Sequence, residues 1–243
     1  MESLSEQQVF LKENGFALMN DVFTTDEVTG LIEIIDAANA ANPNFRMSGG
    51  LFAIRQFLKE VPAIVPAVFT ARLQQIINRL FGDGWFVVKS IYFDKPGASN
   101  WFVAYHQDLT ISVKEKHETE GFVNWTVKQN QYAVQPPAAV LEDNFTLRIH
   151  LDDTNEQNGA LKVIAGSHNQ GIITLSAYDF SAAHETVCNL KKGGLMIMRP
   201  LLLHASGRTV NNKQRRVIHI ECSKAALPQP LQWSERMEVA ILS

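Results

Sequence analysis

From Trp85 to the neighbourhood of Cys222 the chain is a succession of short apolar and aromatic runs cut by turn signals, and no other feature narrows the choice of fold as far. Trp85-Phe86-Val87-Val88 and Ser90-Ile91-Tyr92-Phe93 open the series, and residues 102–110, 138–141, 146–152, 161–165, 195–203 and 215–222 continue it. Asn158-Gly159, Gly166-Ser167 and Gly193-Gly194 stand between them. Short β-branched and aromatic segments bounded by Gly, Pro and Asn read as strands, because branched side chains pack well on a pleated surface and the bounding residues suit tight turns. Many short strands with long excursions between them predict an antiparallel sandwich or jelly roll rather than a parallel sheet.

The chain before Trp85 has a different texture. Residues 5–14 read as a short helix stopped by Asn14-Gly15, and Phe16-Ala17-Leu18-Met19 as a buried strand. Thr24 and Glu27 have capping-box spacing, and Val28, Leu31, Ile32 and Ile35 recur on one helical face behind them. Gly49-Gly50 marks a loop, and residues 67–81 regain helical periodicity through Val68, Leu73, Ile76, Ile77 and Leu80 before Gly82-Asp83-Gly84. Residues 1–84 are therefore expected to be mostly helical, and residues 85–243 to form the β core. Within that core the polar stretch 111–137, which carries Trp125 and Tyr132, is long for a hairpin and is expected to be an insertion serving as a lid or substrate loop. With no repeat and no Pro/Gly/Ser linker, residues 1–243 are read as a single domain.

Composition excludes some partners. A formal charge of −3 and basic runs no longer than a pair provide no field to hold nucleic acid or an anionic membrane. The opening Met1-Glu2-Ser3 begins no targeting segment and no apolar run reaches membrane-spanning length, so a cytoplasmic protein without a membrane partner is expected. Cys188 and Cys222 are far apart and lack CxxC spacing, which fits buried reduced thiols better than a disulfide or thiolate metal site.

The chemistry centres on Tyr105-His106-Gln107-Asp108, at the end of an aromatic and apolar run. In an extended strand His106 and Asp108 point to one face and Gln107 to the other, with the two Cα atoms roughly 6.5–7 Å apart, so an imidazole and a carboxylate can meet on one divalent ion. There is little local charge to solvate Asp108, and a carboxylate in such a setting needs a partner. The tripeptide alone is weak evidence, because His150-Leu151-Asp152 repeats it. There Leu147, Ile149 and Leu151 alternate with Arg148, His150 and Asp152, which reads first as a half-buried strand with a solvated polar face. His204 closes the apolar run 195–203, a position more often filled by a hydrogen-bonded core histidine than by a ligand. Arg215-Arg216 opens the last strand, where a buried guanidinium could hold a carboxylate; the alternative is surface charge at a strand edge.

Taken together these residues resemble the phytanoyl-CoA dioxygenase family. The resemblance rests on His106-Gln107-Asp108, on Asn158-Gly159-Ala160-Leu161-Lys162-Val163-Ile164-Ala165-Gly166-Ser167-His168, and on His204-Ala205-Ser206 with Arg215 eleven residues after His204. Gly15-Phe16-Ala17-Leu18 and the helix start Thr24-Thr25-Asp26-Glu27-Val28 resemble the family's opening, so the likeness spans nearly the whole chain. Ala165 departs from it, standing where the family usually has proline, and His168 belongs to the same turn as a structural residue.

The resemblance implies a mainly β fold with N-terminal helices: a double-stranded β-helix, or jelly roll, of cupin-like form. It also implies Fe(II) as the metal, 2-oxoglutarate as co-substrate, O2 as oxidant and a small organic molecule as substrate. Carried over by position, His106, Asp108 and His204 are the iron ligands, Arg215 grips the distal carboxylate of 2-oxoglutarate, and Ser206 assists as a hydroxyl donor. The family spacing from His204 points to Arg215 rather than Arg216; strand alternation alone does not decide. Lys89 and Trp125 are further candidates for reaching the co-substrate or substrate, and Arg148 and His150 become pocket-wall candidates on a neighbouring strand, with a non-functional polar face as the alternative. The implied reaction is hydroxylation with release of succinate and CO2, and halogenation is disfavoured because Asp108 leaves no ligand position for a halide. Two readings compete: a catalytically silent jelly roll that binds metal and ligand, and a redox-neutral metalloenzyme of cupin type.

Overall fold

The structure, a computed structural model, describes residues 4–38, 45–48, 51–97, 101–128 and 131–239; Gly49-Gly50 lie outside them. The chain begins with α1 (Leu4–Asn14), β1 (Phe16–Met19), α2 (Thr25–Asp36), β2 (Phe45–Ser48), β3 (Leu51–Arg55), α3 (Phe57–Glu60), α4 (Ile64–Val68) and α5 (Ala71–Phe81). It continues with β4 (Phe86–Lys95), β5 (Val103–His106), β6 (Ile111–Val113), β7 (Val123–Lys128), β8 (Gln131–Gln135), α6 (Ala138–Glu142) and β9 (Asn144–His150). The last strands are β10 (Leu161–Ile164), β11 (Glu185–Val187), β12 (Leu195–Met198), β13 (His204–Ser206) and β14 (Arg215–Ser223). A seven-stranded sheet runs β1-β12-β9-β14-β4-β3-β2 and a four-stranded sheet runs β11-β10-β13-β5, with every pairing antiparallel. This is the expected mainly β, jelly-roll architecture.

Strand alternation gives the large sheet two different faces. Leu147 and Ile149 of β9, Ile218 and Ile220 of β14, and Leu195 and Ile197 of β12 share one core with Leu31 of α2 and Leu73 and Ile77 of α5. That face is covered by helices, and fully burying each such side chain contributes about 1.5–3 kcal/mol before entropy is counted. The intervening residues, among them Arg148, His150, His219 and Glu221, are buried too, so the polar side of β9 looks inward and not to solvent. The solvated reading of that face is thereby corrected: two faces are buried, one against helices and one against the small sheet.

Several local expectations hold for their stated reasons. Thr24 Oγ1 accepts from Glu27 N (3.2 Å) while Glu27 Oε2 accepts from Thr24 N (2.7 Å), completing the capping box of α2. Gly15 has φ +81°, and a Cβ there would sit 2.4 Å from His168 Nδ1, so glycine both ends α1 and makes room for the His168 turn. Cys188 and Cys222 are buried free thiols. Among the described residues no helix is long and apolar enough to cross a membrane.

Other segments differ from expectation. The helix expected over residues 67–81 is two helices, because Thr70 turns out of the helix and its hydroxyl accepts from Leu73 N as the cap of α5. The first 84 residues are less helical than expected, since β2 and β3 form a hairpin beside β4. The two runs before and after Lys89 are one strand, β4. Residues 138–141 form α6 and not a strand: Pro137 fixes the entry and the alanines favour helix. The run 195–203 splits at Arg199-Pro200, so that β12 lies in the large sheet and His204 starts β13 in the small one. Stretch 111–137 is no irregular lid: β6, β8 and β7 make a three-stranded sheet whose Ile111, Val113 and Val134 pack with Phe86 and Trp233.

Candidate metal centre

The small sheet brings the two histidines together. β5 ends at His106 directly across from His204 at the start of β13, with ring centroids 4.1 Å apart. The strand stops there, so Asp108 is placed by the loop that follows, where its N–H donates to Pro200 O at 2.9 Å. Gln107 points the opposite way. Its amide donates to Gly171 O (2.8 Å) and Leu201 O (2.6 Å) and accepts from Ile173 N (2.8 Å), pinning the turn from behind.

Each histidine is oriented by its own backbone. His106 Nδ1 lies 2.9 Å from Ala104 O and His204 Nδ1 3.0 Å from Leu202 O. A carbonyl oxygen only accepts, so Nδ1 carries the proton in both rings and the Nε2 lone pairs face the cavity. His106 Nε2 is 3.9 Å from Asp108 Oδ1 and His204 Nε2 is 3.8 Å from Asp108 Oδ2. One donor atom from each of the three residues lies within 4.8 Å of the others. These spacings are too long for hydrogen bonds and suit a shared ion. Asp108 Oδ2 is buried without a hydrogen-bond partner, a costly state for a carboxylate that a cation would relieve.

Electrostatics favours the same occupant. Burial pushes the Asp108 carboxyl up, but His204, His219, Lys89 and His106 around it outweigh that and hold it down at about 2. Burial lowers His204 to about 4 against the pull of Asp108. At neutral pH Asp108 is an anion and His204 a neutral imidazole donor, the ligand states a divalent metal requires.

A cavity of about 180 Å³ opens from this centre between the two sheets. Arg215 lines it with only 8% of its surface exposed. Its Nη2 is 3.4 Å from Ser206 Oγ, while its Nε and Nη1 are buried without partners. Ser206 donates its own proton to Gly159 O (3.1 Å), so toward Arg215 it acts as an acceptor that orients the guanidinium, not as the free hydroxyl donor expected. Arg216 is engaged elsewhere, with Nε and Nη2 forming a bidentate pair to Asp152 at 2.9 and 2.8 Å. The rival tripeptide is thus divided: Asp152 holds Arg216, while His150 Nδ1 is 2.8 Å from Thr154 Oγ1. Lys89 reaches the cavity already paired with Glu221 at 2.7 Å. Trp125 does not line it; it lies on β7 with Lys116 Nζ 5.8 Å from its ring.

Of the two pocket-wall candidates on β9, Arg148 lines the cavity and His150 is not among its lining residues, while His219 and Glu221 were not singled out from sequence. Arg148 Nη1 is 2.8 Å from His219 Nδ1, His219 Nε2 is 3.2 Å from Glu221 Oε1, and the same oxygen accepts from Lys89. Arginine only donates, so His219 carries its proton on Nε2 and passes the chain on to Glu221. The signal was present in β14, where Arg215, His219 and Glu221 are four and two residues apart and so fall on one face. Lys95, fully buried and the register partner of Arg215, was also missed. Its Nζ donates to Gly207 O at 2.6 Å, and burial together with Arg215 brings its pKa down to about 8.

Behind Lys89, Glu235 Oε2 accepts from Ser90 N (3.0 Å) and Ser90 Oγ (2.9 Å), and burial lifts its pKa to about 7. The folded chain therefore holds a proton there that the unfolded chain releases near pH 4.5. Stability from this group is full below pH 4.5 and is lost as pH rises to 7, by up to about 3 kcal/mol. Glu235→Gln is expected to gain stability relative to the parent between pH 5 and 8 in urea unfolding; a constant difference between the two proteins contradicts this.

Comparisons with known proteins give a consistent picture. The family model of phytanoyl-CoA dioxygenase (PhyH) matches residues 11–217. The chain is similar to the iron/alpha-ketoglutarate-dependent dioxygenase ausU of Aspergillus calidoustus, 23% identical over 259 residues that cover 98% of this chain and 76% of the relative. Among solved structures it is similar to the epimerase SnoN in complex with Fe3+, alpha ketoglutarate and nogalamycin RO, with a TM-score of 0.70 and 13% identity over 91% of this chain and 84% of that one. It is also similar to EctD from S. alaskensis with 2-oxoglutarate and 5-hydroxyectoine, with a TM-score of 0.66 and 19% identity over 90% and 75% of the two chains. At these identities the solved structures establish the shared fold.

Proposed function

The chain belongs to the phytanoyl-CoA dioxygenase family, and from that premise we propose that it is an iron- and 2-oxoglutarate-dependent oxygenase that hydroxylates a C–H bond of a small organic molecule. The observation that carries the reading is one cavity with a His-His-carboxylate set at its centre and the unpaired guanidinium of Arg215 on its wall. His106 and His204 through Nε2 and Asp108 through its carboxylate would hold Fe(II) on one face, leaving positions for co-substrate and O2. When bound, iron with 2-oxoglutarate and O2 supplies oxidative decarboxylation to succinate and CO2 together with the oxidising power for the C–H bond. Arg215, steadied by Ser206 and backed by Lys95, receives the distal carboxylate. Ile91, Phe93 and Leu161 line the cavity and exclude water from the reacting groups. Asp108 stays as a ligand throughout, which favours hydroxylation over halide transfer.

Turnover under 18O2 with Fe(II), 2-oxoglutarate and a panel of small molecules tests this. Label in both succinate and a product hydroxyl supports hydroxylation. Label in succinate alone, with a substrate that is isomerised or ring-closed, keeps the oxygenase and overturns the hydroxylase. Absence of any succinate sinks both, and leaves the silent and redox-neutral readings standing.

A further inference from the structure

The cavity carries more positive charge than the co-substrate uses. Lys89 is matched by Glu221, Asp108 would go to the metal, and Arg215 would take the distal carboxylate of 2-oxoglutarate while its other carboxylate goes to the iron. Arg148 is left over. It sits on β9 in the middle of the large sheet, between β12 and β14, and lines the cavity at 7% exposure. Its one described partner is the neutral ring of His219; its Nε is buried without any, and no described carboxylate pairs with it. Burial lowers its pKa to about 10, so it remains charged at neutral pH.

A buried guanidinium without an anion is costly, and the cost falls when a ligand brings one. The chain His219, Glu221 and Lys89 holds this guanidinium in place before any ligand arrives. Next to it the wall is apolar, with Ile91, Phe93, Val103 and Leu161 inside and Trp101, 38% exposed, at the mouth. A planar carboxylate matches the guanidinium fork. We propose that Arg148 receives the carboxylate of the substrate, so that the enzyme acts on small organic acids with an apolar body. This rests on the oxygenase reading above.

The test uses the full chain loaded with redox-inert Zn(II) and 2-oxoglutarate, titrated calorimetrically with monocarboxylates from propanoate to 3-phenylpropanoate and with the corresponding primary amides. Acids are expected to bind at least about tenfold tighter than their amides. Arg148→Met is expected to erase that preference and Arg148→Lys to keep part of it, while 2-oxoglutarate affinity reports that the site is intact. Acids that bind no tighter than amides, or a preference that survives Arg148→Met, overturn the proposal. Loss of 2-oxoglutarate binding in both arginine variants also overturns it, by giving Arg148 to the co-substrate. Failure of 2-oxoglutarate to bind the unaltered protein instead sinks the oxygenase reading.

Discussion

Asp108→Ala is expected to abolish 2-oxoglutarate-dependent succinate formation and to weaken Fe(II) binding by about 100-fold or more, since two neutral imidazoles alone neither close the ligand set nor balance the ion's charge. The reason lies in the geometry: Asp108 is the one anion of the set, its two oxygens face His106 Nε2 and His204 Nε2 at 3.9 and 3.8 Å, and its buried Oδ2 has no other partner. The same fact predicts an asymmetry in stability. The charges around Asp108 hold it ionised below its ordinary value, so the metal-free variant should melt no higher than the parent. With metal, the parent should gain about 2.7 kcal/mol at a hundredfold excess over Kd and the variant almost nothing. Calorimetry with and without Fe(II) under anaerobic conditions checks both halves. A variant that keeps the metal-induced rise in Tm refutes the ligand assignment.

Arg215→Met is expected to raise the Kd for 2-oxoglutarate by about 100-fold, near 3 kcal/mol, while leaving Fe(II) affinity within about threefold of the parent. Arg215 is buried, makes a single long hydrogen bond to Ser206 and leaves Nε and Nη1 unpaired, so an anion would satisfy it. Arg216→Met, by contrast, removes a partner that Asp152 already occupies on the other side of β14 and should leave 2-oxoglutarate affinity unchanged. Equal losses in the two variants, or none in Arg215→Met, contradict the assignment. Isothermal titration of the metal-loaded proteins gives the answer directly.

Much of the architecture was legible because it is written locally. The capping box at Thr24 and Glu27, the stop at Gly15 and most of the short strand runs depend on neighbours in sequence, and the structure forms them. What sequence could not supply were the choices made by distant partners. Residues 195–203 read as one apolar run, yet Pro200 interrupts it and the halves enter different sheets, which is what carries His204 to His106. Residues 138–141 satisfy strand composition as well as helix composition, and the prolines before them decide the matter. The polar cavity wall was legible only in part, with Arg148 a candidate that a plain polar face rivalled and His219 and Glu221 not singled out. Alternation distinguishes two faces of a strand but not whether the polar one meets water or a cavity, and here both faces are buried. Trp125, in a long polar stretch, suggested a substrate loop; the stretch folds into its own small sheet and Trp125 is not among the cavity-lining residues.

The proposed function places metal and 2-oxoglutarate in one cavity, where His106, Asp108, His204 and Arg215 would hold them together. The most direct test is anaerobic calorimetric titration of 2-oxoglutarate into the full chain with and without Fe(II), repeated for His106→Ala and His150→Ala. The predicted result is metal-dependent binding that His106→Ala loses and His150→Ala retains. Binding that ignores the metal, or that survives His106→Ala while failing in His150→Ala, would place the centre elsewhere.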